Sequence, residues 1–451
     1  MAATLRSLGF IVVEVRDGSR EQMAAAIASV GSSLKGKQGI GMLYYAGHGL
    51  QLDWRNYMVP VDARLRTAAD VPAQTVDLGS VIEAFKAAGN RMNIVVLDAC
   101  RDNPFTGTSS GKGLAQLDAP PGTILAYATA PGNVAEDGQG LSNGLYTGYL
   151  LEELKKPVAK IEDVFKRVRL QVRQKSQGRQ IPWESTSLEE DFVFNNGKVV
   201  VAAKPAESTR EQAFNQEKAE WERVKASASV DDFYEFLKKY PSGSMSELAQ
   251  TRVERLQKAQ VRVQADREGR VQDLFDRRYR EGDTYEFVLK DGLTNVQTGR
   301  GSVVVRVRGE DEVEGVGTGF PNARATRAGF VVQDGGGTYD PPWSAVPGGD
   351  FQVGKRIAGR SIRTAPNGDK YWLDYETRIV AREKLQTSLG LLDTYRVEVS
   401  MLFQIGSRSQ LTFWYEPEWG YAVKTRFEFR NPGTRAPDIR IREMVARSRV
   451  N

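Results

Sequence analysis

The chain is poor in the residues most often recruited for chemistry: among 451 residues there is one His and one Cys. A single Cys cannot close an internal disulfide, and it leaves the redox compartment unread. No apolar run is long enough for a membrane-spanning helix, so none is expected. Charge is nearly balanced, with Lys plus Arg 62 against Asp plus Glu 57, a net +5. The basic residues lie among acidic ones with no aromatic-interleaved stripe, which argues against a nucleic-acid partner. The opening stretch MAATLRSLGFIVVEV lacks the charged start, apolar core and small-residue cleavage site of a signal peptide. It reads instead as a helix end, a stop at Gly9 and a strand over residues 10–15, as if the chain began inside a domain. A start lying upstream would leave a signal peptide, and with it a cytoplasmic or periplasmic address, open.

What is present is a globular composition, 40% hydrophobic and 26% charged, over a length that suits two to four domains. Through residue 195, short apolar strands alternate with amphipathic helices. The strands are expected at residues 10–15, 40–45, 94–99, 124–129 and 191–194. The helices between them are REQMAAAIASVGSSL, LGSVIEAFKAAG, LYTGYLLEELKK and IEDVFKRVRLQVRQ. This is an α/β pattern: a mostly parallel sheet with helices on both faces. Such sheets build their sites at the carboxyl ends of the strands.

Both rare residues follow a strand. His48 stands in GMLYYAGHGLQ, and Cys100 ends NIVVLDAC. A lone His beside glycines is commonly a loop residue, and a lone Cys at a strand end is commonly a small buried hydrophobe. Together, at the ends of two strands of one sheet, a thiol and an imidazole are the minimum for nucleophilic acyl transfer. Gly47 and Gly49 leave room beside the imidazole for a substrate backbone. The amides of Gly49 and Cys100 would face a developing oxyanion. Asp98, two residues before the thiol on the same side of its strand, either lines a pocket for a basic side chain or caps the next turn.

YYAGHG followed by LDACRDNP, with 52 residues from His48 to Cys100, resembles the caspase-like cysteine peptidases in their bacterial, metacaspase-type branch. The resemblance implies the caspase-haemoglobinase-like sheet, a cysteine endopeptidase with a His48/Cys100 dyad, and cleavage after Arg or Lys selected by Asp98. NYMVPVDA (56–63), LAYATAPGNVAEDG (125–138) and QIPWESTSLEEDFVF (180–194) resemble further family segments. Asp137 then falls where a second acidic pocket residue stands, or in a plain turn. Trp183 flanks the substrate cleft or packs the domain end. Family members also begin with a central strand and loop, and nothing here matches that segment. Calcium assists some members, but no dense acidic cluster marks a site for it, and no other cofactor or metal is implied. Lys112, in the Gly/Ser/Pro-rich stretch 106–122, is a candidate for cleavage in maturation. The competing reading is an inactive caspase-fold scaffold whose further domains bind a protein partner.

Beyond the expected catalytic domain (1–198), VAAKPAEST marks a linker at 199–208. Helical periodicity in 209–280 resembles a short tetratricopeptide-like hairpin, followed by a charged helix. From about Gly282 the period becomes two, with turn signals such as KDG and APNGD, which predicts an antiparallel all-β domain over 281–451, a barrel or a sandwich. Trp372, Trp414 and Trp419 line a ligand groove there or pack the core.

Overall fold

The computed structural model describes residues 1–53, 55–100, 114, 117, 119–130, 143–188, 190–196, 207–257, 279–309, 312–319, 321–345, 353–416, 419–434 and 436–449; of Cys100 it describes the backbone. The chain divides into two compact units. The first comprises Met1–Ala206, Ser227–Pro241 and Arg252–Val271; the second comprises Glu207–Ala226, Ser242–Thr251 and Gln272–Asn451.

In the first unit the elements run α1 (Ala2–Ser7), α2 (Arg20–Leu34), β1 (Ile40–Leu52), β2 (Arg55–Met58), α3 (Asp70–Gln74), β3 (Val76–Asp77), α4 (Leu78–Ala87), β4 (Met92–Cys100), β5 (Thr123–Tyr127), α5 (Leu145–Leu154), α6 (Ile161–Lys175) and β6 (Trp183–Thr186). The described strands form one sheet in the order β3-β2-β1-β4-β5-β6. Only β1, β4 and β5 run parallel; β2, β3 and β6 pair antiparallel. The sheet is therefore mixed, with a parallel centre, rather than mostly parallel. Its centre is fully covered. Met92, Ile94 and Val96 of β4 pack on Leu150 and Leu154 of α5 and Val164 and Val168 of α6. Val95 and Leu97 face the other way, onto Val81, Ile82 and Phe85 of α4. That two-sided burial is why NIVVL reads as an unbroken apolar run.

Local signals set the helix starts. Ser19 and Gln22 close a reciprocal capping box at α2, and the Asp77 carboxylate accepts the Gly79 amide at α4. Two expected strands do not form. Residues 10–15 form neither helix nor strand, and Ile11, Val13 and Val15 are 100%, 48% and 40% exposed. Alternating apolar side chains do not make a strand unless a neighbour takes up the backbone N–H and C=O groups. Here β1 pairs with β4 along residues 40–48 and meets β2 only from Gly49. Residues 191–194 likewise supply one bridge, Lys160 to Val193, while Phe192 and Phe194 pack against the α5–α6 side. The closing strand is β6 instead.

Three further helices follow: α7 (Glu207–Val224), α8 (Val230–Lys239) and α9 (Ser246–Leu256). Within the first unit α8 lies by α6, where Gln174 donates to Asp231 at 3.2 Å and Arg173 meets Glu254 at 3.5 Å. Within the second unit the buried Glu217 carboxylate of α7 accepts the amides of Ser244 and Met245 at 2.9 and 2.7 Å. Burial pushes the Glu217 carboxyl up, against those two bonds. The charged helix expected after α9 lies outside the described residues.

The rest of the second unit is a closed barrel of twelve antiparallel strands, each bonded to the next in sequence, with the last paired to the first. They are β7 (Thr284–Asp291), β8 (Gln297–Arg308), β9 (Glu312–Thr318), β10 (Ala323–Thr326), β11 (Phe330–Asp334), β12 (Gly337–Ser344), β13 (Arg356–Thr364), β14 (Lys370–Thr387), β15 (Gly390–Phe403), β16 (Arg408–Glu416), β17 (Tyr421–Arg430) and β18 (Asp438–Ser448). Alternation along β14 and β15 sorts the faces. Leu373, Tyr375, Ile379, Val397 and Val399 are buried inward, while Asp374, Glu376, Arg378 and Glu398 look out. An apolar inside and a charged outside is the inverse of a lipid-facing barrel. Closure removes every strand edge. The long β14–β15 hairpin reaches across to β18, where Ser388 donates to the Met444 carbonyl at 3.3 Å. Leu385, Leu389 and Leu392 there pack on the cluster around Phe287 and Met444. Trp372 lies under Arg360; Trp414, donating to Glu383 at 2.7 Å, and Trp419, under Arg447, also pack against the cluster around Phe287 and Met444.

Candidate active site

β1 does not stop before His48 but carries it, and β4 carries Cys100. The two strands stay in parallel register from Ile40–Met92 to His48–Cys100, so His48 and Cys100 are Cα partners at the last pair of the ladder. Adjacent strands lie about 4.8 Å apart, so the fold alone makes these residues neighbours. His48 is exposed.

The backbone around His48 is held firmly. Its carbonyl accepts the Val59 amide at 2.9 Å and the Tyr45 hydroxyl at 2.6 Å. Burial pushes the Tyr45 phenol up to about 12, so it remains a donor at neutral pH. Gly47 is required for that clamp: a Cβ there would sit 2.8 Å from the Tyr45 hydroxyl oxygen. Gly49 is required by the neighbouring strand, since its Cβ would lie 3.2 Å from that of Ala99 and 3.3 Å from Leu114 Cδ2. The two glycines thus have a packing reason of their own. Amide and carbonyl of one residue point to the same neighbouring strand, and those of the next residue point the other way. With the His48 carbonyl bound to Val59, the Gly49 amide turns away from β2 toward the side on which β4 runs.

Asp98 is half-buried on the α5–α6 face of β4, two residues before Cys100. Its Oδ2 accepts the Thr147 hydroxyl from the first turn of α5. Thr147 spends its proton on Asp98, so at its other contact, 2.5 Å from the Tyr44 hydroxyl, it is the acceptor. Burial, with Asp98 adding to it against the Thr147 bond, pushes the Tyr44 phenol up to about 12 and keeps it a donor. The result is a one-way chain, Tyr44 to Thr147 to Asp98, aimed at the carboxylate. Sequence reasoning missed both supporting residues. Tyr44 shares the strand face of His48 and was findable by alternation; Thr147, 49 residues from Asp98, left no signal.

Trp183 stands apart from this group. It is buried in the α4-side cluster with Leu125 and Tyr127, on the other face of the sheet, where the packing alternative describes it. Asp137 and Lys112 lie outside the described residues. Among the described residues no three His, Cys, Asp or Glu side chains converge as a metal-ligand set would.

The sequence model of the caspase domain matches residues 1–193. Those residues form a caspase-like domain. The chain is 30% identical, over 153 residues, to the mucosa-associated lymphoid tissue lymphoma translocation protein 1 homolog of Mus musculus. That match covers 33% of this chain and 18% of the relative's length, so the chain spans under a fifth of it. Among solved structures the chain is similar to caspase-1 from Spodoptera frugiperda, at 16% identity and a TM-score of 0.33, covering 44% of this chain and 80% of that one. It is also similar to the hypothetical lipoprotein YmcC from Escherichia coli, at 11% identity and a TM-score of 0.25, covering 38% and 87%.

Proposed function

We propose that the caspase domain is a cysteine endopeptidase of the metacaspase type that cleaves after Arg or Lys. The observation that carries this reading is the terminal His48–Cys100 pair of the parallel ladder, with Asp98 braced beneath it. His48 takes the thiol proton, and the Cys100 thiolate attacks the scissile carbonyl. The amides of Gly49 and Cys100 hold the oxyanion. The imidazolium then gives its proton to the leaving amine as the C–N bond breaks, which leaves an acyl-enzyme. Water, deprotonated by His48, cleaves the thioester and returns the thiol. Asp98, with Asp137 as the second carboxylate of the pocket, pairs with the basic side chain before the cleaved bond, a charge-assisted contact that a neutral side chain cannot make.

Hydrolysis of peptide reporters ending in Arg or Lys, by the full chain beside Cys100→Ala and Asp98→Ala, tests both parts. Hydrolysis that Cys100→Ala abolishes and Asp98→Ala reduces for basic reporters is the expected result. Absence of Cys100-dependent cleavage would leave the second reading, a caspase-fold scaffold, which the pairing of β1 with β4 alone over residues 40–47, among the described residues, favours. Cleavage only after Asp would overturn the role given to Asp98.

A further inference from the structure

The barrel gathers its exposed apolar side chains at one end. Among the described residues its well-exposed large hydrophobics are Leu293 at 68%, Val296 at 61%, Ile405 at 60%, Leu391 at 59% and Leu402 at 39%. Neighbouring strands of a closed antiparallel barrel alternate in direction, so every second turn lies at the same end. Leu293 and Val296 stand in the β7–β8 turn, Ile405 in the β15–β16 turn and Leu402 just below it, all at one end. Leu391, beside the β14–β15 turn, is alone at the other. Single scattered exposures need no explanation, but so uneven a division asks for one.

The turns that carry these residues form one surface. Gly406 of the β15–β16 turn lies against the β17–β18 turn, where a Cβ on it would be 3.4 Å from the Pro432 Cγ. Ser407 donates to Asn431 at 3.1 Å, and Gly292, beside Leu293, donates to the Ile439 carbonyl at 2.8 Å. Four strand spacings separate the β15–β16 turn from the β7–β8 turn, which places the apolar tips up to about 19 Å apart. Tips on separate turns suit a broad, flat partner better than a single peptide.

Cations stand directly behind the tips. Leu402, Arg408 and Arg430 are successive register partners on β15, β16 and β17, and alternation puts all three on the outer face. Like charges opposed on adjacent strands repel. Elsewhere on the outer wall carboxylates relieve such repulsion: Glu376 bridges Arg356 and Arg378, and Glu443 bridges Lys290 and Lys424. Among the described residues the side chains of Arg408 and Arg430 have no such partner, nor does exposed Lys370 at the start of β14. The carboxylates of this end are engaged locally. Asp291 accepts the amides of Leu293 and Thr294 at 3.0 and 2.8 Å, Asp369 accepts from Asn367 at 2.7 Å, and Asp438 holds Arg440.

Apolar tips in front and unpaired cations behind match the layering of a lipid headgroup region met from water. We propose that this end of the barrel docks on an anionic bilayer surface. Leu293, Val296 and Ile405 enter the headgroup boundary, and Arg408, Arg430 and Lys370 meet lipid phosphates. The barrel rests on the bilayer without crossing it, because its outer wall is charged.

The test is cosedimentation of the full chain with two sets of vesicles, equal parts phosphatidylglycerol and phosphatidylcholine, or phosphatidylcholine alone. Binding to the anionic set should be saturable, weakened by salt and about a hundredfold tighter than to the other. Arg408→Gln/Arg430→Gln should weaken it about 25-fold. Leu293→Ser/Ile405→Ser should weaken it about tenfold, while Leu391→Ser at the opposite end should leave it unchanged. All these side chains lie at the surface, and thermal melting should match that of the unaltered chain. No binding to anionic vesicles, equal binding to both sets, or binding indifferent to either pair of substitutions would overturn the assignment. Full competition by polyglutamate, with the apolar pair without effect, would also overturn it and mark an acidic protein as the partner.

Discussion

The two β structures of this chain put their chemistry in opposite places. The caspase domain has an open sheet whose parallel strands all end on one side, so residues far apart in sequence converge at a rim. The barrel has no rim of that kind: every strand is paired on both sides, and its distinctive residues face inward. An open sheet concentrates chemistry by strand direction, and a closed one conceals it by strand alternation.

The sharpest way to break that comparison is to remove the thiol. Cys100→Ala is expected to lower reporter hydrolysis at least about 10³-fold while leaving urea unfolding of the chain unchanged. Loss of both together would mean that the substitution disturbs the fold rather than the chemistry. Packing comes next. Leu373, buried inside the barrel wall, should cost about 2–5 kcal/mol on truncation to Ala, as Leu97 should in the open sheet. Leu411, on the same inward face but half-exposed, should cost less than about 1 kcal/mol. Urea unfolding measures all three, and equal losses for Leu373 and Leu411 would show that the two positions are packed alike.

A smaller effect tests the chain of hydroxyls at the rim. Thr147→Val should reduce the preference for Arg over its neutral isostere citrulline about tenfold, and Thr147→Ser should restore it. An unchanged ratio in an enzyme whose selectivity Asp98→Ala does destroy would remove Thr147 from the account and leave Asp98 in it. The smallest effect is a pH dependence in the caspase domain. Burial opposes ionisation of Glu153, but the bonds from Lys156, Arg167 and Gln171 outweigh it and hold the carboxyl below its usual range. A carboxyl lowered on folding stabilises above its unfolded value, about 4.3, and that contribution fades as pH falls through the folded one. Thermal melting followed below about pH 5 should show this loss, and Glu153→Gln should flatten that limb.

How much could be read beforehand follows physical lines. His48 and Cys100 were legible because each is the chain's single example, and their motifs fix both spacing and strand context. Strand β4 and helices α2 and α6 were legible because burial on two faces, or on one stripe, leaves a clear period. The run FIVVEV was misread because it has the period of a strand without a partner. Within the all-β region, β13 shows no clear alternation because Gly359, Arg360, Ser361 and Arg363 crowd it, and β12 is broken by Pro341 and Pro342. The support for Asp98 escaped for a different reason. Tyr44 and Thr147 lie 103 residues apart, and only the packing of α5 on the sheet joins them.

The shared ladder of β1 and β4 has a consequence of its own. From Ile40 to His48 and from Met92 to Cys100 both strands advance by the same eight residues before the ladder ends. The pairing of imidazole and thiol is thus a matter of counting as much as of composition. One residue lost anywhere between Ile40 and His48 would leave the apolar run able to pair, yet it would swing the imidazole to the α4 side of the sheet and offset it from Cys100. This stretch of chain should therefore tolerate exchange of one apolar residue for another far better than any change in its length.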